Sequence, residues 1–208
     1  SLPIYPIAIA RVTELVAAWA PIKPQLFLAV RNPATFLASA YSQVLFGAVY
    51  IEPRQYRARN DWRKIDWADY ITKLRTITGV CDIYVWRQED YDLTHRLILR
   101  RMLRWQASGR IETIKGRVHQ SLSAHAVRQT LAWAQDGETG QLAAKSRKLF
   151  PISADNKAFV LYAAETLVRA GQVYDAQMAQ IEAMDGVTVL QPPKRKQEGL
   201  KSPSKTVI

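Results

Sequence analysis

An arginine and a serine eight residues apart are the strongest candidates for chemistry in this sequence. In the stretch LFLAVRNPATFLASAYSQVLF, residues 26–46, Arg31 directly follows an apolar run and Ser39 comes eight positions later. Arginine offers a planar fork of N–H donors that suits phosphate oxygens, and a hydroxyl adds one further donor. If both side chains point the same way, they can grip a phosphate monoester.

The elements around these two residues are expected to bring them together. The run 26–30 is short, continuous and apolar, which is typical of a strand buried on both faces, as in parallel sheets. Pro33 suits the first turn of a helix, so we expect a helix from there to about Leu45. Ser39 then lies about two turns into that helix. Arg31 lies at the carboxyl end of the strand, where open α/β sheets bind their ligands.

The rest of the pattern predicts further crossovers of a parallel sheet. We expect helices over 7–19, 67–78, 93–105 and 123–134, a largely helical stretch over 157–184, strands over 82–86 and 187–190, and a long surface loop over 47–64. The helix over 93–105 should carry two faces. The apolar face holds His95, Ile98, Leu99, Met102 and Leu103, and the solvated face holds Arg96, Arg100, Arg101 and Arg104. The predicted fold class is α/β, a parallel sheet between two layers of helices.

Length and charge predict one domain with a basic tail. The chain has 208 residues and a net charge of +11, which favours polyanionic partners. We expect an α/β domain over 1–191 and a basic disordered tail over 192–208, where five basic residues and one acidic residue contribute +4 of that charge. Phosphorylated or sulfated small molecules, nucleic acid and an anionic membrane surface are the partner classes that the charge leaves open.

Other candidate residues have simpler interpretations. Cys81 is the only cysteine, so no internal disulfide is possible and a cytoplasmic location is expected. The three histidines show no metal-ligand spacing, and no metal site is predicted. No run approaches the roughly 20 apolar residues that a membrane span requires. Trp62 and Trp67 flank the basic loop and can line an acceptor site, although aromatic residues at this spacing are more often packed beneath a loop.

Two segments resemble the sulfotransferases that use 3′-phosphoadenosine 5′-phosphosulfate. In that family a strand ends in Arg, often followed by Asn-Pro, and a Ser eight residues later helps the Arg to hold the donor's 3′-phosphate; VRNPATFLASAYSQ is similar, with Arg31 and Ser39 in matching positions. The segment DIYVWRQEDYD resembles the family's strand followed by Arg-Tyr-Glu-Asp. Gln88 stands where many relatives have a Tyr that can contact the adenine, and the resemblance implies a mainly structural role for the Glu89 and Asp90 pair.

The resemblance also has consequences for fold and function. It implies a P-loop NTPase-like sulfotransferase fold, with Lys115 or Arg117 helping to enclose the 3′-phosphate, although a solvated loop is equally compatible with those two residues. The family's Gly-x-x-Lys-x-Gly-Thr-like loop, which cradles the phosphosulfate, does not occur here, and the sequence begins without Met. We therefore expect a carboxyl-terminal portion of the fold that lacks the amino-terminal βα unit, with the catalytic residues upstream.

Two functions from different classes follow. The first is transfer of a sulfonate group from the adenine nucleotide donor to a hydroxyl or amine of a carbohydrate, lipid or small molecule. The second is a non-catalytic basic α/β module that binds nucleic acid or an anionic membrane surface through its arginines and its tail. The matching of Arg31 and Ser39 favours the first, and nucleic acid is the less favoured partner.

Overall fold

The described part of the protein contains a small three-stranded parallel sheet flanked by helices. A computed structural model describes residue 5 and residues 7–112 and 121–193, apart from the side chain of Arg104. Strands β1 (Leu26–Val30), β2 (Ile83–Arg87) and β3 (Val187–Val189) form one sheet in the order β1-β2-β3. Both pairs are parallel, and Val30 lies opposite Arg87. The predicted α/β class and the three strands are confirmed, and β1 and β2 end side by side at one edge.

Helices connect these strands and cover both faces of the sheet. The helices in the described residues are α1 (Ala8–Ala18), α2 (Pro33–Phe46), α3 (Pro53–Arg59), α4 (Trp67–Arg75), α5 (Tyr91–Ser108), α6 (Ala124–Gln135), α7 (Leu142–Leu149) and α8 (Ala164–Glu182). The main core joins α2, α4 and α8 to the face that carries Val30 and Val85. A much smaller cluster joins α5 to the opposite face through Trp86, Ile98 and Leu190. No helix in the described part of the chain combines the length and apolar character that crossing a bilayer requires.

The prediction that β1 is buried on both faces is wrong. Val30 is fully buried, but Ala29 is exposed and Leu26, Phe27 and Leu28 are half-buried. The reason is that β1 lies at the edge of the sheet, and the smaller cluster on the α5 face is centred on β2. The apolar face predicted for the helix over 93–105 is also wrong in part, because Ile98 is buried whereas Met102 and Leu103 are exposed.

Two further segments differ from the prediction. The stretch 47–64 was expected to be a loop but contains α3, which begins at Pro53, and a 3₁₀ turn over Trp62–Lys64. The buried ring of Tyr56 packs against that of Tyr41, which ties the segment to α2. Residues 157–163 are not helical, because backbone hydrogen bonds from Phe159 to Leu122 and from Ala124 to Lys157 hold them against the start of α6. The predicted tail from residue 194 onward lies outside the described residues.

Helix α2 begins where the sequence predicts, and its start is capped by Asn32. The Asn32 Oδ1 atom accepts hydrogen bonds from the backbone N–H groups of Ala34 and Thr35, at 3.0 and 3.5 Å. Pro33 occupies the first helical position, where its missing N–H costs nothing. This cap fixes the direction in which α2 leaves the sheet, and therefore the position of Ser39.

We predict that Asn32→Ala lowers the free energy of unfolding by about 0.5–2 kcal/mol, because two N–H groups lose their acceptor. Urea denaturation monitored by circular dichroism measures the change. Asn32→Ser keeps an acceptor and should retain most of the stability. Gln141 occupies the equivalent position before α7 without a side-chain cap bond. Gln141→Ala is therefore the matched control, and an equal loss in both alanine variants would contradict the capping role.

Candidate anion-binding site at the carboxyl edge of the sheet

Arg31 lies at the carboxyl end of β1 and is held at both its backbone and its side chain. The indole Nε1 of Trp67 donates a hydrogen bond to the Arg31 carbonyl at 2.7 Å. The Arg31 Nε donates to the hydroxyl of Thr35 at 3.1 Å, and this hydroxyl donates to the Asn32 carbonyl. The two terminal guanidinium nitrogens have no partner among the described residues. Arg31 is thus oriented by a neutral hydroxyl, and most of its donors remain available.

Ser39 lies on the same side of α2 as Thr35. Residues four apart on a helix are neighbours on one face, so Ser39 follows Thr35 by one turn along that face. The Ser39 side chain is half-buried, and its hydroxyl has no hydrogen-bond partner in the described part of the chain. The Arg31–Thr35 bond therefore draws the guanidinium toward the helix face that carries Ser39.

The other predicted binding residues are placed unequally. Gln88 follows Arg87, the register partner of Val30, so Gln88 and Arg31 leave adjacent strands at the same edge. Gln88 is the first residue of a short 3₁₀ turn over Gln88–Asp90, and its side chain is exposed. Lys115 and Arg117 lie outside the described residues. Arg31 and Gln88 thus follow neighbouring strands at one edge of the sheet, and Ser39 lies on α2 one turn beyond Thr35, the residue that Arg31 contacts.

Glu89 joins three separate elements at this edge. Its Oε1 atom accepts a hydrogen bond from the backbone N–H of Asn32 at 2.9 Å. Its Oε2 atom lies 3.2 Å from the hydroxyl of Tyr174, which is also 3.0 Å from the Val30 carbonyl. Burial raises the pKa of Tyr174 above its ordinary value, and the charge of Glu89 adds to this effect. The hydroxyl therefore stays protonated and shares its proton between two acceptors.

Arg87 is engaged by α8. Its Nη1 atom lies 2.7 Å from a carboxylate oxygen of Asp175, and its guanidinium lies 4.6 Å from the centroid of the Tyr174 ring. The planar charged group is therefore both paired and stacked, which fits a role in docking α8 against β2. Sequence reasoning missed Tyr174 and Asp175, because nothing within the predicted helical stretch over 157–184 indicates which strand its polar side chains face.

A cleft of about 520 Å³ opens beside α8, but Arg31, Ser39 and Gln88 do not line it. Its charged lining groups are Arg87, Asp90, Asp175 and Glu182. Three carboxylates against one paired arginine make the cleft a poor site for an anionic nucleotide. The edge at Arg31 is the more favourable position for a phosphate.

The remaining aromatic and ligand-type residues support packing. Trp67 is buried and packs edge-on against Phe36, with ring centroids 5.3 Å apart, and Trp62 is half-buried against the main core. Trp67 is therefore not exposed to line an acceptor site.

Within residues 7–112 and 121–193, no group of three or more His, Cys, Asp and Glu side chains is placed to hold a metal ion.

Comparison of this chain with models of known protein families, with curated proteins and with solved structures finds no match. The site must therefore be interpreted from its own residues.

We predict that Tyr174→Phe lowers the free energy of unfolding by about 1–3 kcal/mol at pH 8, because the buried Val30 carbonyl and Glu89 lose a donor. It should also change the response to alkali. The folded state holds the Tyr174 proton more tightly than the unfolded chain, so stability is kept below the ordinary tyrosine pKa of 10.0 and falls as the pH rises above it. Phenylalanine carries no such proton, so in the variant the free energy of unfolding should fall less steeply above pH 10, by up to about 1.4 kcal/mol per pH unit.

Urea denaturation at pH 8, 9.5, 10.5 and 11 tests both parts. Tyr41 is also buried, and burial raises its pKa. Because Tyr41 titrates in both proteins, the difference between their stability curves reports on Tyr174. Parallel stability curves for the wild type and the variant above pH 10 would contradict the protonated bridge.

Proposed function

We propose that this protein is a sulfotransferase-like protein that binds 3′-phosphoadenosine 5′-phosphosulfate and transfers its sulfonate group to a hydroxyl or amine of a carbohydrate, lipid or small molecule. Arg31 and Ser39 hold the donor's 3′-phosphate. The observation that supports this most is the arrangement at the end of β1. There, Thr35 binds the Arg31 guanidinium on the α2 face that carries Ser39, and neither the terminal guanidinium nitrogens nor the Ser39 hydroxyl has a partner among the described residues.

The chemistry of the edge favours side-chain recognition of a phosphate. The first N–H groups of α2 are already bonded, since Ala34 and Thr35 donate to the Asn32 side chain and Phe36 donates to the Asn32 carbonyl. An anion here therefore depends on Arg31 and Ser39 rather than on the helix terminus. A guanidinium contributes two parallel donors to a phosphate, and the hydroxyl contributes a third.

Gln88 supports a second contact. It is exposed at the end of the adjacent strand, and its amide can donate to and accept from the edge of an adenine ring. We propose this contact in place of the Tyr found in many of the sulfotransferases that the segment resembles. The finer fold, a P-loop NTPase-like sulfotransferase sheet, is part of the same proposal.

The transfer itself requires groups that we do not assign to this chain. The acceptor oxygen or nitrogen attacks sulfur, the bond from sulfur to the bridging phosphate oxygen breaks, and adenosine 3′,5′-bisphosphate leaves with the electron pair. A base takes the acceptor's proton. Arg31 and Ser39 contribute by holding the donor so that its sulfur faces the acceptor, which lowers the entropic part of the barrier.

We predict that adenosine 3′,5′-bisphosphate raises the melting temperature of the protein, and that Arg31→Ala or Ser39→Ala removes most of the rise. Differential scanning fluorimetry over a range of nucleotide concentrations measures it. Adenosine 5′-monophosphate lacks the 3′-phosphate and should give a much smaller rise. Arg54 is exposed on α3, so Arg54→Ala is the matched loss of one positive charge.

Three results would overturn the proposal: no rise with the bisphosphate, an equal rise with the monophosphate, or a rise that survives Arg31→Ala. Salt-dependent binding to polyanions that also survives Arg31→Ala would favour the non-catalytic basic module.

A further inference from the structure

Asn32 connects the two halves of the proposed nucleotide site. Its carbonyl accepts a hydrogen bond at 3.0 Å from the Thr35 hydroxyl, which in turn accepts one from the Arg31 Nε. Its backbone N–H donates to Glu89, the residue that directly follows Gln88. Asn32 is therefore bonded both to the hydroxyl that orients Arg31 and to the neighbour of Gln88.

The side-chain amide of Asn32 also presents a donor of fixed orientation. Its Oδ1 atom accepts the cap bonds from Ala34 and Thr35, so the cap determines which end of the amide faces the helix. The Nδ2 atom at the other end has no hydrogen-bond partner among the described residues. It is not sealed inside the protein, because within the described part of the chain the buried side-chain polar atom without a partner is Trp86 Nε1. An N–H donor is thus open at this edge.

Gly171 of α8 lies against this donor. It occurs in the interior of a 19-residue helix, where glycine is less favourable than every residue except proline. A methyl group at Gly171 would lie 3.7 Å from Asn32 Nδ2, which is an ordinary van der Waals distance, so packing permits alanine here. The backbone of Gly171 is helical, so its conformation permits alanine as well. The effect of the missing methyl group is that the side of Nδ2 that faces α8 stays uncovered.

We propose that Asn32 Nδ2 donates a hydrogen bond to the ribose 2′-hydroxyl of the bound nucleotide, and that Gly171 leaves the space for this contact. The inference rests on the proposed function. The 2′-hydroxyl is on the carbon next to the one that bears the 3′-phosphate, and the ribose joins that phosphate to the adenine. A residue bonded to both halves of the site is therefore well placed to contact it. A hydroxyl oxygen accepts from an amide N–H, so the site selects a ribonucleotide over a deoxyribonucleotide.

Isothermal titration calorimetry with adenosine 3′,5′-bisphosphate and with its 2′-deoxy analogue tests the contact. The wild type should bind the ribonucleotide about two- to tenfold more tightly, which is the range that one neutral hydrogen bond contributes. Asn32→Ser keeps an acceptor for the cap but has no Nδ2, so it should bind the two nucleotides about equally. A role of Asn32 in the cap alone would not change this ratio of affinities.

Gly171→Ala tests the same contact without altering the cap. Its methyl group covers Nδ2, so it should also bring the ratio of the two affinities close to one. Gln172 is the next residue of α8 and is exposed. Gln172→Ala is therefore the matched control and should keep the selectivity of the wild type. Thermal melting by circular dichroism shows that each variant is folded at the temperature of the titration.

The contrary results separate this inference from the proposed function. Equal binding of the two nucleotides by the wild type, or selectivity that persists in Asn32→Ser, would overturn the ribose contact. Selectivity that persists in Gly171→Ala, or an equal loss in Gln172→Ala, would overturn the role of the glycine. All four results leave the proposed function standing, provided that the bisphosphate binds and that Arg31→Ala removes the binding. If the bisphosphate does not bind, or binds Arg31→Ala equally well, the proposed function fails and the ribose contact fails with it.

Discussion

The bridge made by Glu89 is the interaction on which the carboxyl edge of the sheet depends. Where parallel strands end, backbone groups lose their ladder partners, and buried groups must find others. Glu89, just beyond β2, binds the N–H of Asn32 beyond β1 and the hydroxyl of Tyr174 on α8. That hydroxyl also reaches the carbonyl of Val30. One carboxylate therefore holds two strand ends and a helix in register.

The same bridge decides which charges can act on a ligand. Glu89 contributes a negative charge near Arg31, which by itself would disfavour an anion, but its oxygens are occupied by donors from α8 and the strand end. Arg87 is paired with Asp175. Arg31 instead bonds to Thr35, a neutral partner, and keeps its charge uncompensated among the described residues. Of the two arginines that end β1 and β2, one fixes the fold and the other remains available.

Local signals in the sequence predicted most elements, and contacts distant in sequence explain the failures. Helix α2 begins at Pro33 as predicted, and α6 begins directly after Ser123, whose side chain accepts a cap bond from the N–H of Ala126. The Glu89–Tyr174 bond spans 85 residues, and no local pattern indicates it. Arg31 and Gln88 could be proposed because each follows a strand end, and Ser39 because it comes eight residues after Arg31, and as binding residues they stay predictions. The contacts of Arg31 with Thr35 and Trp67 became visible only in the structure.

The exposure of α5 follows from a mismatch of lengths. An 18-residue helix is about 27 Å long, whereas a five-residue strand extends about 17 Å, so the sheet cannot cover the whole helix. Periodicity predicted an apolar face that is wrong in part, since Ile98 is buried but Met102 and Leu103 are exposed, and it could not show that the sheet of the described residues has three strands. The α5 side of the sheet also holds a buried polar atom, the Nε1 of Trp86, that has no hydrogen-bond partner among the described residues. The larger core lies on the other face of the sheet, whereas α5 keeps Leu93, Met102 and Trp105 exposed.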